Sequence, residues 1–420
     1  MIIPGIIAEY NPFHQGHAFQ IQTLKKKLQA DYVIIAMSGN FVQRGAPAMT
    51  DKFSRARMAL SCGADLVLEL PVLYASSSAE YFARGGVSLL NSTGVVTHLG
   101  FGTETEQTDL LLKTASVLNR QPEDFRQTLR KELKKGLSFP AARTAALKKY
   151  FESQNIFFSA DGEQILSSPN NILAVEYLKA LEYYHSPILP CPVLRRGADY
   201  HDTALDRNFC SASAIRKHCR ESAESSLPVD DIVSKLPGKV LPEPALDILK
   251  QYPHPFLWED DFSMLLHYKL LTESAEQLSL YADSSPDLAH RIKKEIGAFR
   301  SWSSFCEHMK TKNITFSRLS RMFLHILLDI YQEDYRLFPK PSCLRILGFR
   351  KSAVPLLSAM QHAGSLPLVT SPAQAGQTLS DSAYRLLAYD LKASELYRAG
   401  VTARGDFSLK NDYRQPVIRL

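Results

Sequence analysis

Apolar residues fall along this chain in two rhythms. Unbroken runs rich in Ile, Val and Leu recur at 2–8, 31–37, 64–70, 95–101 and 188–196. Such runs are too short and too β-branched for buried helices, so each reads as a buried strand. Between the first four, stretches at 16–28, 51–62 and 78–90 repeat their apolar positions every three or four residues, the helical period. Strand alternating with helix predicts an α/β fold built on a doubly wound parallel sheet with right-handed crossovers. Segment 106–168 reads as a helical insertion before the fifth strand. From about 219 the texture changes, and Pro228, Pro237, Pro242 and Pro244 mark a linker over 219–244. Beyond it the pattern is helical at 260–281, 286–309, 315–334, 351–361 and 379–399, with one short extended piece at 366–370. The expected organisation is a sheet-bearing domain over 1–218 and a mostly α-helical domain over 245–420.

Sheets of this kind bind ligands beyond the carboxyl ends of their strands. After the first strand comes Glu9-Tyr-Asn-Pro-Phe-His-Gln-Gly-His17. Asn11-Pro12 breaks the strand, because a residue before proline is pushed out of the α region. A helix then starts near Gly16, and His14 and His17, three apart, project to one side of its entry. Free N–H groups at a helix start attract phosphate, and imidazoles donate hydrogen bonds to oxyanions. Gly16 removes side-chain bulk where a ligand would approach. Metal ligation or ordinary surface histidines are the other readings.

The remaining strand ends supply further candidates. Ser38, Asn40 and Arg44 lie in the loop after the second strand, where Arg44 is placed to meet phosphate or substrate. Gly100 and Gly102 after the fourth either make a tight turn or let the backbone pass under a flat base or ribose. Asn170 and Asn171 open a helix behind Pro169; one is expected to cap it, and their amides suit adenine or ribose. The fifth strand ends in Arg195 and Arg196, a basic pair suited to phosphate. Tyr200, His201 and Asp202 follow, then Ser211-Ala-Ser-Ala-Ile-Arg216.

Composition narrows the class. At 45% hydrophobic and 22% charged, the 420 residues are those of a soluble globular protein. No run approaches the roughly 18 apolar residues that span a membrane, and no basic leader precedes Glu9, so the expected location is the cytoplasm. Cys62, Cys191, Cys210, Cys219, Cys306 and Cys343 form no CxxC pair and read as reduced thiols, which disfavours zinc. The net charge is only +6, but it is uneven: residues 291–351 hold 13 Lys and Arg against five Asp and Glu, +8, leaving −2 for the rest. Such a block is either a solvated face or a docking surface for a polyanion. Its docking candidates are Lys312, Arg318, Arg321, Arg345, Arg350 and Lys351.

His14-Gln-Gly-His17 behind a first strand resembles the HxGH signature of the nucleotidyltransferase superfamily. The longer string from Glu9 to His17, with Ser38-Gly-Asn-Phe-Val-Gln-Arg-Gly45, resembles one family within it, the bacterial tRNA(Met) cytidine acetate ligases. Ser211 to Arg216 resembles the second signature, ISSTxIR, with Cys210, Ala212 and Ser213 replacing Ile, Ser and Thr. The resemblance implies a Rossmann-like fold with His14 and His17 catalytic. It implies ATP contacts along Gly5, Ile6, Ile7, Ala8, Glu9, Tyr10, Asn11, Pro12, Phe13, Gly16, Phe19 and Gln20. Gly102, Asn170, Asn171, Arg195, Ser213 and Arg216 would complete the ATP site, with Mg²⁺ bridging the leaving phosphates. Ser38, Asn40, Arg44 and His201 are left as substrate or phosphate candidates. Acetate would be activated as acetyl-adenylate and passed to N4 of the wobble cytidine of elongator tRNA(Met). From the residues alone, a metabolic adenylyltransferase and a non-catalytic RNA-binding protein stay open; intact His14 and His17 argue against the latter.

Overall fold

The computed structural model describes residues 1–156, 165–166, 168–195, 211–223, 229–236 and 240–420. All five expected strands form: β1 (Pro4–Ala8), β2 (Ile34–Ser38), β3 (Leu66–Leu70), β4 (His98–Thr103) and β5 (Leu189–Leu194). They run parallel in the order β5-β4-β1-β2-β3. The order reverses at β1, which pairs β2 on one side and β4 on the other, so a crevice opens beyond its carboxyl end.

Alternate residues of the central strands feed two cores. Ile6, Ile35 and Met37 pack with helices α1 (Gln15–Leu28) and α2 (Lys52–Ser61), and with later helices at Ala212–Ala223 and Glu243–Lys250. Ile7, Ile34 and Ala36 pack on the other face with helices Ala79–Asn91 and Pro169–Tyr183. Gly100 belongs to the first packing and is not a ledge for a base. A Cβ there would come 2.2 Å from Leu24 of α1, so its absence lets α1 lie close on β4.

The C-terminal half departs from the expected helical domain. Residues Leu344–Phe349 form a sixth strand, β6, antiparallel to β3, and Leu368–Val369 (β7) and Ile418–Arg419 (β8) pair parallel to β6. The sheet is therefore mixed and has eight strands, three of them from beyond the linker. Helices still dominate this half, among them Phe316–Leu328 and Asp381–Ala403.

Buried charge joins the two halves. Lys52 donates to Glu69 Oε1 at 2.7 Å, to Asp412 Oδ2 at 2.6 Å and to Ser394 Oγ at 2.9 Å. Arg345 on β6 lies 2.9 Å from Glu69 Oε2 and 2.7 Å from Asp412 Oδ2. Two cations and two carboxylates balance in a place closed to water, where an unpaired charge would be costly. Asp390, beside them, accepts the Val72 N–H at 2.6 Å; burial and the Glu69 charge push its carboxyl up to about 7.

Two docking candidates are thereby corrected. Arg345 is only 4% exposed and belongs to this cluster. Arg321, 8% exposed, makes a bidentate pair with Asp283, at 2.7 and 3.0 Å. Two others are already engaged by backbone: Arg318 donates to the Asp283 carbonyl, and both Nε and Nη2 of Arg350 donate to the Leu60 carbonyl. Lys312 and Lys351 alone of the six are exposed.

Candidate active site

The loop from Glu9 to His17 is held from several sides. Asn11 accepts the Met49 N–H on its amide oxygen at 2.8 Å, and Glu9 accepts the Gln43 N–H at 2.9 Å. Phe13 and Tyr10 are buried, and both rings stand against His17, at 5.5 and 4.8 Å. Gly5, Ile6 and Ile7 are interior to β1 with no side chain at the edge, so exposure at the crevice begins at Ala8.

His14 is the N-cap of α1. Its Nδ1 accepts the Gly16 N–H at 3.0 Å, while the His14 N–H donates to His17 Nδ1 at 3.2 Å. The pair is a capping box made from two imidazoles, which satisfies helix-start donors reciprocally. The rings stack, with centroids 3.7 Å apart. The space left by Gly16 is filled by His14 itself: a Cβ at 16 would lie 2.8 Å from His14 Cε1.

This geometry fixes the protons. An Nδ1 that accepts a backbone N–H carries its lone pair there, so the neutral ring holds its hydrogen on Nε2. Neither Nε2 has a hydrogen-bond partner among the described residues. Burial first, then the charges of Arg195 and Arg216, push His14 down to about 3. Burial, His14 and Arg195 push His17 well below the ordinary imidazole value. The site thus presents two neutral N–H donors beside two guanidinium groups, an arrangement suited to negative charge developing on a phosphoryl group.

The other candidates converge on this crevice in part. Arg216 donates to the Asn11 carbonyl at 2.6 Å and to Ser213 Oγ at 3.2 Å, which ties the second signature to the first. Ser211, not Ser213, does the capping, accepting the Ala214 N–H at 3.1 Å. Arg195 extends the β4–β5 ladder through its N–H to Thr103, and its side chain lies over Gly102. Neither asparagine caps its helix. Ser168 is the N-cap position; Asn171 accepts the Glu104 N–H at 2.9 Å, and Asn170 donates to the Glu104 carboxylate at 2.5 Å. Glu104, which had no expected role, joins both asparagines and lies 4.0 Å from Arg195. Phe19 and Gln20 are half-buried on the first turns of α1.

The loop after β2 is more closed than expected. Ser38 is buried, its hydroxyl without a partner among the described residues, and Asn40 accepts the Lys52 N–H at 2.8 Å. Gly45 has φ of 79°, and a Cβ there would lie 2.4 Å from the backbone of Arg321, so helix Phe316–Leu328 seals the loop. Arg44 is exposed. His201, with Arg196 and Gly197 to Asp202, lies outside the described residues.

One residue at this edge escaped the sequence reading. Arg55 is fully buried and donates to the carbonyls of Glu9 at 2.6 Å, Thr50 and Ser38 at 3.1 Å, and Gly39. It clamps the ends of β1 and β2. Its signal was present: Lys52 and Arg55 fall on the inward stripe of α2 with Ala56 and Ala59, where cations need buried partners.

A model of the HIGH nucleotidyl transferase family matches residues 1–411. The tRNA(Met) cytidine acetate ligase of Halothermothrix orenii is 36% identical over 435 residues, covering all of both chains. That of Clostridium perfringens is 39% identical over 406 residues, 94% of this chain and 95% of its own. Among solved structures, Thermotoga maritima TmcAL in its apo form superposes with a TM-score of 0.90 at 32% identity, over the full length of both chains. A second crystal form, bound with alpha-thio ATP, gives 0.88 at 31% identity, again over both full lengths.

Proposed function

The chain belongs to the HIGH nucleotidyl transferase family, among the tRNA(Met) cytidine acetate ligases, and from that premise we propose how its residues carry the reaction. It is an ATP-dependent ligase that makes acetyl-adenylate and acetylates cytidine. An acetate oxygen attacks the α-phosphorus of ATP, the bond to the bridging oxygen breaks, and pyrophosphate leaves. The cytidine N4 then attacks the acetyl carbonyl and loses a proton, and AMP departs with the former acetate oxygen. The acceptor is the wobble cytidine of elongator tRNA(Met), which places the work in the cytoplasm.

The observation that supports this reading best is the reciprocal His14–His17 cap. It leaves both Nε2–H groups to donate to phosphoryl oxygens, with Arg195 and Arg216 adding charge. Asn170, Asn171 and Gly102, joined through Glu104 and Arg195, form the flank where adenine and ribose would lie. Among the described residues no three His, Cys, Asp or Glu side chains gather as a metal site. Mg²⁺ would arrive on the triphosphate, whose oxygens supply its ligands.

Acetate-dependent exchange between ATP and pyrophosphate, measured without tRNA, tests the first half-reaction; absence of exchange in the native chain would contradict it. Arg195→Ala should weaken ATP binding by calorimetry about tenfold or more, the scale of a lost charge-assisted contact, and leave tRNA binding unchanged. Unaltered ATP affinity would remove Arg195 from the phosphate site.

A further inference from the structure

A second site opens one strand away from the imidazoles. Between the start of α2, the helix Asp381–Ala403 and the tail at 408–415 lies a cavity of about 360 Å³, reaching Asn40 at the end of β2. Its two carboxylates are answered from within the fold. Asp412 is held by Lys52 and Arg345, and Asp51 accepts the N–H groups of Phe53 and Ser54. Two of its cations are not. Arg57 on α2 and Lys410 on the tail both line it, both exposed and without a carboxylate partner among the described residues. His254 lines the same cavity with a buried Nδ1 that has no partner among the described residues. Arg398 is less available, since it donates to Leu409 and pairs with Glu395. Two exposed cations from different elements and a ring nitrogen left open suit an anionic group that also offers hydrogen bonds.

We propose that this cavity grips the phosphodiester backbone of the acceptor RNA. The inference rests on the reading of the chain as a tRNA ligase and specifies where that partner docks. ATP has its own cluster on the β1, β4 and β5 side, around Arg195 and Arg216. The cavity lies on the opposite, β2 side of β1, and the loop that walls it also touches the catalytic loop, through the Met49 N–H on Asn11. RNA held there approaches the imidazole crevice from the side ATP leaves open. The block 291–351 is the weaker site, because Arg321 and Arg345 are buried in ion pairs. A salt bond from each of two cations supplies the counterion release that marks phosphate binding.

The test compares two surface variants with the native protein, using a tRNA(Met) transcript in filter binding at several salt concentrations. Arg57→Gln with Lys410→Gln should reduce the slope of log affinity against log salt by about 1.4 to 1.8 units, the release expected for two phosphate contacts. Lys312→Gln with Lys351→Gln should leave that slope unchanged. An unchanged slope in the first pair, or an equal fall in the second, overturns the placement. A loss of ATP affinity in the first pair would show that its anion is the nucleotide's phosphate, which also overturns it. If native protein binds no tRNA at any salt, the ligase reading itself fails together with the docking site.

Discussion

His17→Ala should lower acetate-dependent adenylation by about 10²-fold or more, the loss that follows removal of one oxyanion donor, at a stability cost of only about 1 kcal/mol for the acceptor lost to the His14 N–H. His14 needs a different variant, because its ring also caps α1 through Gly16. Asparagine is among the best N-cap residues, so His14→Asn retains a cap acceptor while removing the Nε2–H. It should melt close to the native protein and still lose adenylation to a similar degree. Equal losses of stability and rate would mean that the ring serves only the cap. The pH profile supplies a second check. Both imidazoles are pushed down, so they remain neutral donors from pH 8 to roughly pH 5 and the adenylation rate should show no break near the ordinary imidazole value. A break at about pH 6.5 would mean that one of them titrates in turnover. Stability has the opposite sensitivity: the unfolded rings take up protons that the folded ones refuse, so stability falls as pH drops below about 6.5.

Arg345→Met should cost about 3–5 kcal/mol, the scale of breaking a buried ion pair from one side. Lys52 would then face Glu69 and Asp412 alone, leaving one buried carboxylate without a partner. That carboxyl would be pushed up in the folded state while keeping its ordinary value, near 4, unfolded. The variant's deficit should therefore shrink as pH is lowered towards 5 and grow as it rises. Denaturant titrations at several pH values give both numbers. A stable variant with weakened tRNA binding would instead return Arg345 to the docking surface.

The N-terminal half was legible because its apolar runs are short, β-branched and separated by helical periods, and β1 to β5 lie within a few residues of their expected places. The first signature was legible because strand, Asn11-Pro12 and the two histidines follow in a fixed order. β6 was not. Its Leu-Arg-Ile-Leu-Gly-Phe sequence is interrupted by an arginine and a glycine, and the carboxylates that make Arg345 acceptable in a core lie at positions 69 and 412. Arg321 misled in the same way, since Asp283 is 38 residues distant. The helix nonetheless carried a warning in its sequence: between Leu319 and Leu328 apolar residues fall on every side of the helix, which leaves Arg321 no polar face, and the structure buries that whole stretch. Charge counting locates a polyanion surface only after internal pairs are removed.

Attack of acetate on the α-phosphorus is the claim from which the rest follows. Incubating the protein with ATP, tRNA(Met) and acetate labelled in its oxygens, then analysing AMP and the digested nucleosides by mass spectrometry, tests it directly. One labelled oxygen in each AMP and an equal amount of N4-acetylcytidine are expected. Acetylcytidine formed with unlabelled AMP, or AMP released without acetylated cytidine, would contradict it.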